Sequence, residues 1–76
     1  MTRLVFHVGP WELTIEHDGV EYRWAVDGVD YAGEGHWGGP ASSWGAAREQ
    51  ALATALLLTP KDRRRLYEPL VLRALG

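Results

Sequence analysis

The sequence predicts an α+β domain: a three- to four-stranded antiparallel β-meander packed on one face by a helix, with a second helix after it. Two observations carry this. Asp18-Gly19 and Asp27-Gly28 fall between runs of alternating apolar and polar residues, and Asp-Gly in that setting is the strongest short hairpin signal. The Ala- and Leu-rich stretch Trp44–Leu58 then follows a pair of serines with helical spacing. At 76 residues and 8.5 kDa the chain has room for one domain, residues 1–76.

The first strand is expected over 3–8, where Leu4, Phe6 and Val8 alternate with polar neighbours. Gly9-Pro10 separates it from a second strand over 11–17. Two-residue Asp-Gly turns would then connect strands 11–17, 20–26 and 29–34. That turn length sets the register: Ile15 faces Tyr22, Leu13 faces Trp24 and Trp11 faces Val26. Across the second turn Val26 faces Val29, Trp24 faces Tyr31 and Tyr22 faces Gly33. One face thereby collects nearly all the large apolar side chains, and a one-residue slip would scramble it.

The run Gly33–Pro40, GEGHWGGP, reads as a loop. Ser42 or Ser43 supplies an N-cap for a helix over 43–58. Its inward arc holds Trp44, Ala47, Ala51, Leu52, Ala55, Leu56 and Leu58. Arg48 lies in the same arc, so it must reach the edge, pair with a carboxylate or face a partner. Thr59-Pro60 marks a second start, with Thr59 as N-cap, and the helix runs over 60–75. It presents Leu66, Tyr67, Leu70, Val71, Ala74 and Leu75, with a kink or restart at Pro69. Four Trp, three Tyr and one Phe supply the large side chains that a small core needs.

A short meander, a small-residue loop, a serine cap and an Ala-x-x-x-Ala helix (Ser43, Ala47, Ala51, Ala55) resemble several families of small bacterial and phage proteins. HicB-like antitoxin domains are one. The resemblance covers about residues 11–56 and implies a fold; it assigns no functional residue.

Composition excludes several chemistries. Cysteine is absent, which removes disulfides, thiolate zinc sites, iron–sulfur clusters and cysteine nucleophiles. No apolar run is long enough for a membrane helix or a secretory signal, so the expected setting is cytoplasmic, without membrane attachment. His7, His17 and His36 lack the spacing of a helical metal site. The stretch Gly33–Gly38 matches G-x-G-x-x-G but ends an antiparallel meander rather than opening a βαβ unit. Ser42 and Ser43 lie near His36 but serve more simply as caps. No catalytic, cofactor or metal site is expected, nor a pocket of about 300 Å³ or more in so small a domain.

Charge is divided. Residues 1–40 carry seven carboxylates against two arginines, net −5, and residues 41–76 carry six bases against three acids, net +3. The predicted register sets Glu16, Glu21 and Glu34 side by side on the polar sheet face. Such a stripe is either simply solvated or covered by a basic partner. Trp37, beside His36 in the loop, either closes the core or stands out for recognition. Leu57 and Leu72 fall on the polar sides of their helices and would extend a partner or dimer patch. The function expected is therefore that of a non-catalytic interaction module. It binds another macromolecule, first a protein, through Glu16, Glu21, Glu34, His36 and Trp37, with a homodimer as one form of that partner. The alternative is a nucleic-acid-binding accessory protein using Arg48, Lys61, Arg63, Arg64 and Arg65, although a pI of about 5.8 is low for that role.

Overall fold

A computed structural model describes residues 2–28 and 36–75. The chain runs β1 (Thr2–Val8), β2 (Trp11–His17), β3 (Tyr22–Gly28), β4 (His36–Ala41), α1 (Trp44–Leu58) and α2 (Lys61–Leu75). The four strands form one sheet in the order β1-β2-β3-β4, with every neighbouring pair antiparallel. The fold class is the predicted α+β, with α1 against one sheet face. Among the described residues no helix is long and apolar enough to cross a membrane.

Two features of the sheet differ from the expectation. In the first hairpin His17 lies opposite Tyr22, Ile15 opposite Trp24, Leu13 opposite Val26 and Trp11 opposite Gly28. The register is displaced by two residues. A type I′ turn on Asp18-Gly19 needs positive φ at both central residues. Here Gly19, at φ +100, and Val20 form the tip instead, and no non-glycine described residue has positive φ. Asp18 sits outside the tip, and its Oδ1 accepts hydrogen bonds from the Val20 and Glu21 N–H groups at 2.8 and 2.9 Å. These two bonds hold the Asp18 carboxyl below the usual carboxylate range. A two-residue shift preserves side-chain parity, so the buried face keeps its residues.

The second difference is where β3 ends and what pairs beyond it: Asp27-Gly28, expected as a two-residue turn after a strand over 20–26, is the paired end of β3, opposite Glu12 and Trp11. The predicted strand 29–34 lies outside the described residues. The position beside β3 is taken by 36–41, all but Ala41 of it in the run expected as a loop: Val26 faces His36, Ala25 faces Trp37, Trp24 faces Gly38 and Tyr22 faces Ala41. A register irregularity falls between Tyr22 and Trp24. Gly38 is needed because the Trp24 indole lies where a Cβ would stand. An edge strand also tolerates Pro40, which has no N–H to donate to a ladder.

The core joins Trp11, Leu13, Ile15, Trp24 and Val26 of the sheet to Ala47, Ala51, Leu52 and Ala55 of α1, with Val71 from α2. The alanines bring the helix close to the large sheet residues. Ser43 is the N-cap of α1; its Oγ accepts from the Ala46 N–H at 3.1 Å. Trp24 Nε1 donates to Gln50 Oε1 at 3.0 Å, tying β3 to α1.

Thr59 has a different task from the one expected. It closes α1: its backbone N–H reaches the carbonyls of Ala55 and Leu56, and its buried hydroxyl donates to the Ala55 carbonyl at 2.8 Å. The Arg63 and Arg64 N–H groups bond instead to the Pro60 carbonyl. The second helix continues through Pro69 without a restart. It docks through Val71 and through Tyr67, whose ring meets Trp11 edge-on with centroids 5.4 Å apart. Leu66 and Leu75, expected inward, are exposed, as is Leu58 of α1.

Candidate functional site

The face of the sheet away from α1 is organised in three rows, because alternate residues of each strand share a face and the registers align them. The middle row is Val5, Thr14, Ala25 and Trp37, one residue from each strand. Val5 is 51% exposed and Trp37 54%, whereas Ala25 is buried. Trp37 therefore does not close the core. It stands on the outer face beside a hollow of about 300 Å³ bounded by Gly38, Gly39, Pro40, Glu21 and Arg23.

Charged rows flank this apolar one. On one side Arg3, Glu16 and Arg23 lie across β1, β2 and β3. Arg3 Nε and Nη2 donate to Glu16 Oε1 at 2.9 and 2.6 Å, and Arg23 Nη2 donates to Glu21 Oε1 at 3.0 Å. On the other side lie His7, Glu12 and Asp27, with His7 Nε2 3.3 Å from Glu12 Oε2. In the row of Glu16 the expected acidic stripe is thus replaced by alternating charge, whereas in the other row Glu12 lies opposite Asp27. Moving the register by two residues sets Glu16 opposite Arg23 instead of Glu21, and Arg3 on β1 takes its other side. Glu34 lies outside the described residues.

His36 and Trp37 are adjacent in sequence but belong to opposite faces, since both lie in a strand. His36 stacks on Trp24 with centroids 6.0 Å apart and 30° between ring planes. His17 instead packs on Tyr22 with centroids at 4.2 Å, and His7 is on the outer face. Among the described residues no three His, Asp or Glu gather as metal ligands would.

The basic residues are also dispersed. Arg64 is turned to the end of α1: its Nε donates to the Thr59 carbonyl at 3.0 Å and its Nη2 to the Leu57 carbonyl at 2.9 Å. It satisfies acceptors that every helix end leaves open. Lys61, Arg63 and Arg65 are exposed at the start of α2. Arg48 lies ten residues before the end of α1, about 15 Å along the helix axis. It lines an apolar groove of about 410 Å³ between β1, α1 and the end of α2. This open groove is larger than the sequence predicts for so short a chain. The groove forms because α1 covers β2, β3 and β4 and leaves the inner face of β1 partly open.

The apolar outer row escaped the sequence reading because the expected turn length placed Thr14 opposite Arg23. A four-residue connection would have aligned Thr14 with Ala25. The groove escaped because alternation marks Leu4, Phe6 and Val8 as inward-facing without showing what covers them.

No family model matches the chain, and neither a curated protein nor a solved structure does. The likeness to HicB-like antitoxin domains therefore contributes nothing to the assignment of function.

Proposed function

We propose that this chain is a small non-catalytic module of the cytoplasm that binds another protein through the outer face of its sheet, with Trp37 at the centre of the contact. The observation that carries this reading is the half-exposed Trp37 in a sheet row with Val5, Thr14 and Ala25. Tryptophan is enriched among residues that dominate interface energy, and such residues sit in apolar patches ringed by polar groups. Glu16 and Glu21, each paired with an arginine, supply that rim. They steer and orient a partner more than they hold it.

The test is photo-crosslinking from position 37, with position 57 as a control on a more exposed side chain of α1. A protein captured from position 37 and not from 57 supports the reading, and the chain itself is that protein if it forms a homodimer. An identical set from both positions overturns it. A second reading, nucleic-acid binding, is favoured by the exposure of Lys61, Arg63 and Arg65 within one helical turn and a half. It requires affinity for duplex DNA that falls with salt at a log–log slope of about −0.9 per phosphate contact. No binding at low salt removes it.

A further inference from the structure

The two edges of the sheet are not alike. Edge strand β4 carries Gly38-Gly39-Pro40 and pairs irregularly with β3. Proline and irregular pairing are the devices by which natural sheets blunt an edge. Edge strand β1 has neither: it pairs in unbroken register with β2 over seven residues, Thr2 to Val8, and contains no glycine or proline. Among the described strands nothing pairs with its other side, and residues 2–5 are exposed. An unpaired row of N–H and C=O groups is a template for one more strand.

The groove opens beside this same edge. Leu4, Phe6 and Val8 of β1 form one wall, and Trp44, Ala74 and Arg48 face them. Arg48 is the only charged residue of the lining. Among the described residues it makes no ion pair or hydrogen bond. A cation at the side of an apolar groove selects an apolar ligand that carries an anion.

We propose that β1 receives an extended segment of a partner protein as a fifth strand, with alternate apolar side chains in the groove and a carboxylate on Arg48. The inference rests on the reading that the partner is a protein. Alternate residues of an added strand lie about 6.6–6.8 Å apart on one face, so two or three of them reach along Leu4, Phe6 and Val8. Charge favours such a segment over a second copy of this chain. A second copy would bring another Arg48 and no acidic lining residue to the same face.

The experiment titrates the full chain, labelled with ¹⁵N, with a seven-residue peptide that alternates valine with threonine and ends in aspartate. Its counterpart ending in lysine is titrated in parallel. The proposal predicts shifts of the Thr2–Val8 amides and the Trp44 indole with the acidic peptide, slower exchange of the β1 amides, and roughly tenfold weaker binding of the lysine peptide. Arg48→Glu should reverse the preference while melting at nearly the wild-type temperature. Equal affinity for both peptides, no binding of either, shifts of the groove without β1 amides, or shifts produced by the protein's own concentration would each overturn it. Loss of peptide binding while position 37 still captures its partner removes the added strand alone. Loss of both removes the outer-face reading as well.

Discussion

Trp11 is the largest fully buried side chain, and its indole N–H has no hydrogen-bond acceptor among the described residues. Volume and polarity therefore pull in opposite directions at one position. Trp11→Ala should cost about 3–5 kcal/mol through the cavity it leaves. Trp11→Phe should cost much less, because it also removes a buried donor whose isolation is worth about 1–3 kcal/mol. Urea unfolding decides between them, and equal losses would contradict the packing described. Asp18 gives a pH prediction. Its carboxyl is held low by the Val20 and Glu21 N–H groups. Its contribution is present at neutral pH and disappears as pH falls through and below the usual carboxylate range. Asp18→Ala should accordingly flatten the acid side of the stability profile, and an unchanged profile would exclude the turn as a source. The inward position of Trp11, Leu13, Ile15, Trp24 and Val26 was readable from alternation alone. The role of Gly38 was not, since it depends on which indole lies against it.

At the scale of elements, parity protected the sequence reading from its own error. A turn misplaced by two residues leaves each side chain on its face and changes only its neighbours. The core was legible for that reason, and the outer-face ion pairs were not. β4 was hidden by Gly-Gly-Pro, a poor strand sequence that fits at an edge against Trp24. The helices show a similar division. Ser43 acts as the cap its sequence context announces, whereas Thr59 and Arg64 both serve the C-terminal end of α1. Arg64→Ala should cost about 1 kcal/mol by freeing the Thr59 and Leu57 carbonyls. The exposed Arg65→Ala should change stability by less than about 0.5 kcal/mol. Thermal melts of the two variants make the comparison, and equal effects would show that Arg64 caps nothing.

Across the whole molecule, the single sheet serves two surfaces with one set of strands. Its inner face builds the core and leaves a groove at β1. Its outer face carries an apolar row between charged ones. The charge division of the sequence survives only as a difference between the sheet and the two helices, because Arg3 and Arg23 are placed among the strand carboxylates. Exposed pairs of this kind contribute about 0–1 kcal/mol each and are screened by salt. Raising the salt concentration should therefore leave the fold's stability nearly unchanged. The role assigned to Trp37 is tested most directly by the affinity of the protein captured from position 37, measured calorimetrically for the wild type and for Trp37→Ala. The outer-face account predicts at least about 2 kcal/mol weaker binding, roughly thirtyfold, with an unaltered melting temperature. Equal affinities would contradict it.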